Sequence, residues 1–324
     1  MKQFKYTEKS KYFAIVSLVL VIVGVIGLLI HGGLSYGIDF TGGTTIQLDM
    51  QGADFSTDDI ESIVSGIIGE GDVQAQLVDG GQSVSIKTIE LPYSEGGSNE
   101  KLDSIFSEIE EKYNITIPAS ERNVTTISAG TSKKILTDSM YAVLIAVALM
   151  LLYITVRFEF LSGVSAVVGL IHNIVIMIGF YALFKIPVNN SFVAAILTIV
   201  GYSINNTIVI FDRVRENLRK NKSASYEEIA DTSTAQSLNR TINSSITTLI
   251  TIGMLYILGV NSIREFALPI IIGIIAGTYA SIFLCAPLWV KMKNDVAKRR
   301  RNKAASKKAP GRKKYVGAPK KSEQ

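Results

Sequence analysis

Cysteine, histidine and charge are all scarce in this sequence of 324 residues, and each shortage excludes something. The one cysteine is Cys285, so no intrachain disulfide can form and any outer domain must fold without one. There are two histidines and no G-x-x-x-x-G-K-[S/T] segment. Neither a phosphate-cradling loop nor a nucleophile–base set is in view. No catalytic residue, metal or cofactor is therefore assigned, and the chain is not expected to be an enzyme. Charged residues make up 19% of the chain, below the roughly 25% usual in soluble domains. Six stretches lack Asp, Glu, Lys and Arg altogether: Tyr12–Gly37, Ser139–Val156, Phe160–Phe184, Ile186–Phe211, Thr241–Ile263 and Phe266–Val290. Each reaches the ~18 residues that carry a helix across ~30 Å of hydrocarbon. An ordinary soluble enzyme, a collagen-like chain and a disulfide scaffold are all excluded. The pattern predicts an α-helical polytopic membrane protein with six helices, at about 12–31, 139–156, 161–184, 190–211, 241–259 and 266–290.

The first apolar run follows Lys2, Lys5, Lys9 and Lys11, as a signal peptide would. Its apolar core is too long for one, and Gly32-Gly33-Leu34-Ser35 offers no small-x-small cleavage site, so a retained helix is expected. Lys and Arg near the helix ends set orientation. The N-terminal 1–11, the 212–240 connection and the 291–324 tail are basic, the tail holding 14 Lys+Arg against Asp295 and Glu323. Segment 32–138 is the reverse, with 6 basic and 18 acidic residues. Both termini are therefore expected in the cytoplasm and 32–138 outside. The tail, poor in apolar residues, is expected to be disordered and to lie near anionic lipid. The acidic outer segment argues against nucleic acid as a partner there.

Within 32–138, Thr44–Met50, Val73–Val78, Ser83–Ile89, Ile115–Ile117 and Val124–Ile127 read as strands. Ser56-x-x-Asp59 reads as a capping box opening a helix to about Ile68, and Asp79-Gly80-Gly81-Gln82 as a hairpin turn. A second helix over about Asn99–Tyr113 places Leu102, Ile105, Phe106 and Ile109 on one face. The order β-α-β-β-α-β predicts an extracytoplasmic α+β, ferredoxin-like domain. Pro92–Gly97 is the expected flexible loop.

Polar groups inside the membrane are costly and usually face another helix or a wet path. The third helix carries His172 and Asn173. The fourth carries Tyr202, Asn205 and Asn206, then Asp212 and Arg213 at its end. The fifth carries Arg240, Asn243, Ser244, Thr247 and Thr251 at spacings of three and four, hence on one face. These three faces are expected to meet around one buried polar core, with Arg240 facing protein. Asn243, Thr248 and Thr251 are expected to serve as helix-to-helix hydrogen bonds, and Gly273-x-x-x-Gly277 as close packing. His172 reads equally as a packing or a titrating histidine.

Several motifs resemble those of the SecF family, accessory membrane subunits of the bacterial Sec protein-export machinery and relatives of the resistance-nodulation-division transporters. Gly37-Ile38-Asp39-Phe40-Thr41-Gly42-Gly43-Thr44 looks like the family's G-x-D-F-T-G-G signature. Arg157-Phe158-Glu159-Phe160 is similar to its turn between helices two and three. The longest match runs from Val200 to Val209 and on through Phe211-Asp212-Arg213-Val214-Arg215-Glu216-Asn217. Asn239-Arg240-Thr241 with Thr247-Thr248 resembles the start of the fifth helix. The resemblance reaches to about residue 293. It implies a SecD partner, association with the Sec channel complex and its motor, and help to a translocating preprotein driven by the proton-motive force. Asp39 is either a relay acid or a turn former bonding nearby amides.

Two positions depart from the family pattern. Asn206 stands where the family usually has a carboxylate, and His172-Asn173 where it usually has His-Asp. Asn cannot take up or release a proton near neutral pH. Arg240 and Ser244 match the family, but their in-chain acid is missing. The hinge Ile127-Ser128-Ala129-Gly130-Thr131 also replaces the family's V-G-P. Proton coupling then either survives through a SecD carboxylate whose path Asn206, Arg240 and Ser244 line, or has lapsed, or has passed to sodium. A stand-alone exporter of small molecules or lipids is the alternative function. It should hold both six-helix halves or show acids in the fourth helix, and this chain does neither.

Overall fold

The computed structural model describes residues 4–69, 73–78, 82–88, 91, 100–118 and 122–308. Helix α1 (Ser10–Ile30) leads through a short α2 (Ile38–Thr41) into β1 (Gly43–Asp49), α3 (Thr57–Ile68), β2 (Gln74–Val78), β3 (Ser83–Thr88), α4 (Glu100–Tyr113) and β4 (Asn123–Ile127). Five long helical runs follow: α5 (Ala129–Arg157), α6 (Phe160–Leu183), α7 (Asn190–Lys220), α8 (Tyr226–Leu258), and α9 (Asn261–Ala280) continued by a π turn (Ser281–Cys285) into α10 (Ala286–Lys308). With α1 these make six helical runs long and apolar enough to cross a membrane among the described residues.

The four strands form one sheet in the order β2-β3-β1-β4, every pair antiparallel, which is the β-α-β-β-α-β arrangement the spacing predicts. Strand alternation sends Ile46, Leu48, Val84 and Ile86 to one face, where Ile60 and Val64 of α3 and Leu102, Ile105, Phe106 and Ile109 of α4 cover them. Two local expectations fail. Ser56 precedes α3 in an extended conformation but makes no side-chain cap bond. Ile115–Ile117 forms no strand, because the Ile117 amide donates instead to Glu110 Oε1 at 2.8 Å. Residues 79–81 of the expected hairpin turn and the expected 92–97 loop lie outside the described residues.

The sheet is anchored to the helices through α2. Gly43 has φ +147°, and a Cβ there would sit 2.5 Å from Thr88 O, so only glycine lets β1 start beside β3. Backbone bonds Gly37 N to Val188 O and Val188 N to Ser35 O, both 2.8 Å, tie the segment after α1 to the α6–α7 connection.

Among the helices, α7 is half buried and its neighbours close on it through small residues. A Cβ on Gly273 of α9 would stand 2.6 Å from Ile199, and one on Gly277 3.0 Å from Ser203 Oγ. Gly24 of α1 meets Gly179 of α6 in the same way, at 2.6 Å to its Cα. Helix α10 runs on to Lys308, past the point where the tail was expected to lose structure. Its Lys, Arg and Ala are strong helix formers and continue the turn begun by Trp289, which is fully buried. Residues 309–324 lie outside the described residues.

Candidate functional site: a polar seam between helices

Two polar clusters cross the centre of the bundle. In the first, Asn173 of α6 donates from Nδ2 to Ser203 Oγ of α7 at 2.6 Å. One turn further along α7, Thr207 Oγ1 donates to Ser203 O at 3.2 Å, and it meets Ser281 Oγ of the π turn at 2.8 Å. Asn173, Ser203, Thr207 and Ser281 are all buried. The π turn widens the helix where the Ser281 hydroxyl must reach α7, a common place for such a bulge.

In the second cluster, Ser245 of α8 is the hub. Thr278 of α9 gives its own proton to Ile274 O at 2.7 Å, so Ser245 must be the donor in its 2.7 Å contact with Thr278. The lone pairs of Ser245 then accept from Asn206 Nδ2 at 3.3 Å and from the Tyr202 hydroxyl at 3.4 Å. The hydroxyl protons of Ser245, Thr278 and Tyr202 all find acceptors here without an acid. The arrangement can orient and hydrogen-bond, and it contains no carboxylate, imidazole or amine.

The sequence reading named the right helices; on α8 it is Ser245, not one of the named residues, that enters this chain's own seam. Asn206, Asn173 and Tyr202 lie in the seam, whereas Ser244 points along its own helix and donates to Thr241 O at 3.0 Å. Thr248 and Thr251 likewise bond only their own helix, at 2.9 Å to Ser244 O and 3.0 Å to Thr247 O, so they do not join α8 to a neighbour. Arg240, Asn243, Thr247 and Thr251 face out of the bundle, as does Asn205 of α7. Three polar faces thus do not converge within the chain. Those of α6 and α7 meet, and the α8 stripe turns outward. His172 is half-buried, with Nδ1 3.3 Å from Asn173 Oδ1 and its ring stacked near Tyr279. Ser203, Thr207, Ser245, Thr278 and Ser281 were missed, although Ser203 and Thr207 sit one turn apart on the face already holding Asn206.

The signature residues act at the helix ends. Asp39 caps α7 rather than its own turn, its Oδ2 accepting from the Asn190 amide at 2.8 Å across 151 residues of sequence. A carboxylate at a helix N-terminus is favourably placed. Phe40 is buried, Thr41 Oγ1 donates to Gly37 O at 3.2 Å, and Gly42 at φ +81° makes the bend. At the other end, Glu159 accepts from Lys293 Nζ at 2.6 Å, and the Arg157 carbonyl accepts from Arg215 Nη1 at 3.4 Å. Arg213 pairs with Glu216 at 2.5 Å, and Asp212 is exposed. Asn217 of α7 donates to Ser233 Oγ at 2.8 Å and to Gln236 Oε1 at 3.0 Å, clamping α7 to α8.

Two family models match the chain. The model of "Protein export membrane protein SecD/SecF, C-terminal" matches residues 108–295, and that of the "SecD/SecF GG Motif" matches residues 27–53. The chain belongs to the SecD/SecF family. It is 31% identical over 296 residues to protein translocase subunit SecF of Petrotoga mobilis, covering 90% of this chain and 97% of that one. Against protein translocase subunit SecDF of Bacillus subtilis the identity is 30%, covering 92% of this chain but 39% of the relative. The crystal structure of SecDF from Thermus thermophilus superposes with a TM-score of 0.78 at 29% identity, covering 90% of this chain and 39% of that one. The chain is thus a Sec protein-export accessory subunit and a multi-pass bacterial membrane protein. The stand-alone exporter is not favoured. In the SecDF relatives a matching part is fused to a further, longer one, which points to SecD pairing within the translocase.

Proposed function

We propose that this subunit assists preprotein movement by pairing its α7 and α8 with a SecD subunit's helices. One observation carries the reading. Asn206 meets Ser245, so Asn205 on α7 and Asn243 and Thr247 on α8, each within two residues of that contact, sit at the same depth. All three are exposed on the chain's surface, as is Arg240 one turn before Asn243. Amides and a guanidinium left against lipid would be costly, whereas a partner helix with polar groups or a shared wet path satisfies them. The charge distribution supports a topology with both termini in the cytoplasm and 32–138 outside. There the α+β domain contacts the emerging polypeptide or SecD's own outer domain, while the basic tail holds anionic lipid. The Sec channel and its motor are reached through the same assembly.

With Asn173 and Asn206 as amides, the proton-motive force acts through a carboxylate of SecD, and Arg240 biases that acid toward its charged form. The test is co-purification. Replacing Asn205 and Asn243 by Leu and Thr247 by Val should release the six-helix partner while the chain still inserts. Undiminished recovery of the partner contradicts the proposal. Deleting residues 45–125 should abolish export assistance and leave the partner bound.

A further inference from the structure

Helices α1 and α6 are held together at one end and part at the other. Gly24 meets Gly179, and a Cβ on Gly27 would stand 2.8 Å from Leu183 Cα. Toward the end of the bundle that holds the N-terminus they separate, and a cavity of about 1640 Å³ opens between the N-terminal segment, α1, α6, the start of α8 and α10. Pockets for small molecules run to about 300–1,000 Å³, so this space suits a larger occupant. It is not sealed, because Ala14 of α1 and Val168 of α6, both in its wall, are exposed, Val168 at 46%. The N-terminal segment is fastened across its end by Thr7, which donates from N and Oγ1 to the two Asp231 oxygens at 2.8 and 2.9 Å.

The lining divides into two zones. Ala14, Val168, Gly169, Leu284, Pro287 and Leu288 give an apolar wall, and the other lining residues include four lysines and five carboxylates. Several of these charges are already engaged. Lys5 pairs with Glu8 at 2.9 Å, Asp231 holds Thr7, Glu227 accepts from Asn294 Nδ2 at 2.6 Å, and Lys9 lies over the Phe4 ring at 4.5 Å. Lys11, Lys291, Glu228 and Asp295 remain, all exposed and none with an ion pair within 4 Å among the described residues. Two cations and two anions are thus left at one cavity. An anionic headgroup would meet as many carboxylates as lysines, and an uncharged amphiphile would answer neither. A phosphate accepts from lysine ammonium groups, and a primary ammonium has three protons to give carboxylates, where a quaternary one has none. Lining residues run along α1 from Lys11 to Ser17, about 9 Å of helix rise. Charge and apolar wall therefore stand together on one helix, as headgroup and chains do in one leaflet.

We propose that this cavity binds one membrane phospholipid with a zwitterionic, primary-amine headgroup of the ethanolamine type. Lys11 and Lys291 take its phosphate, Glu228 and Asp295 take its ammonium, and the chains start along Ala14, Val168 and Leu288 before passing out between α1 and α6 into the bilayer. The lipid then fills the gap that the two helices leave where they part, beneath the strap made by Thr7 and Asp231. The proposal rests on none of the pairing of α7 and α8 with SecD.

The test is native mass spectrometry of the full chain released from nanodiscs of phosphatidylethanolamine, phosphatidylglycerol and phosphatidylcholine in equal parts. After the loosely held lipids are stripped, the chain should keep one phosphatidylethanolamine. Lys11→Gln with Lys291→Gln should cut the retained fraction at least about ten-fold, since two charge-assisted contacts are lost. Glu228→Gln with Asp295→Gln should move retention from phosphatidylethanolamine to phosphatidylglycerol. Val168→Trp, which fills the space and alters no charge, should expel the lipid, whereas Leu149→Trp on α5, also exposed, should not. The four substituted charges are exposed, and circular dichroism matching the parent's separates loss of the site from loss of the fold. A parent chain that keeps no lipid, a parent that keeps phosphatidylglycerol in preference, or retention that the lysine pair and Val168→Trp both leave unchanged overturns the proposal.

Discussion

Replacing Ser245 by Ala removes the hub of the second polar cluster and tests its donor accounting. Ser245 makes three hydrogen bonds, to Thr278, Asn206 and Tyr202. Thr278 keeps its bond to Ile274 O, and half-buried Tyr202 has room to reorient. Asn206, 2% exposed, does not, so its Nδ2 is left unpaired. A buried donor without an acceptor costs about 1–3 kcal/mol, and the lost Thr278 bond adds about 0.5–1.5 kcal/mol. Ser245→Ala should therefore destabilise the protein by about 2–4 kcal/mol in reversible denaturant unfolding from mixed micelles. Asn206→Leu should cost less, and Ser245→Ala combined with Asn206→Leu should recover about 1–2 kcal/mol of the serine's loss, because no donor is then stranded. Ser244→Ala, which removes only a bond within α8, should fall within about 0.5 kcal/mol of the parent. Equal effects of Ser244→Ala and Ser245→Ala, or a double variant no better than additive, would refute the accounting.

Three further outcomes follow from the contacts at the helix ends and seams. Gly273→Val would drive its side chain into Ile199, so α9 must shift from α7, at about 1–3 kcal/mol in the same unfolding assay. Asp39→Ala should cost about 1 kcal/mol through loss of the α7 cap, and Asp39→Asn should retain much of it, since its amide oxygen still accepts from Asn190. Lys87 of the sheet reaches Glu265 at 3.6 Å, and Asn189 at the start of α7 donates to the same carboxylate. Lys87→Glu should therefore raise hydrogen exchange along β3, with Lys87→Glu plus Glu265→Lys returning part of the protection.

How far the sequence could be read depended on what each feature costs. Hydrocarbon excludes charge so strongly that six charge-free runs sufficed to name six spans, and strand alternation sufficed to order the outer domain. Helix rotation was harder. Ser244 and Ser245 are one residue and about 100° apart, both hydroxyls can satisfy themselves on their own helix, and nothing local says which turns inward. Arg240 raised the same difficulty from the other side. It begins a polar stripe that was expected to face protein, but the protein it would face is not this chain. The helical stretch beyond Lys298 escaped notice because composition reports the lack of a core, while Ala, Lys and Arg carry a helix onward from a buried Trp289. Asp39 read either as a relay acid or as a turn former bonding nearby amides, and its partner at Asn190 lies in a helix no spacing rule connects to it.

The most direct measurement of the central claim is disulfide crosslinking in native membranes. Single cysteines at Asn205 and Thr247, in a Cys285→Ala background, would each be paired with a cysteine scan along the membrane helices of the SecD subunit. Both positions should trap the partner in high yield, while Leu18 of α1 and Leu149 of α5, exposed apolar residues elsewhere on the bundle, should not. If Asn205→Cys and Thr247→Cys trap nothing and label instead with a lipid-borne reagent, the polar face looks onto lipid and the pairing is wrong.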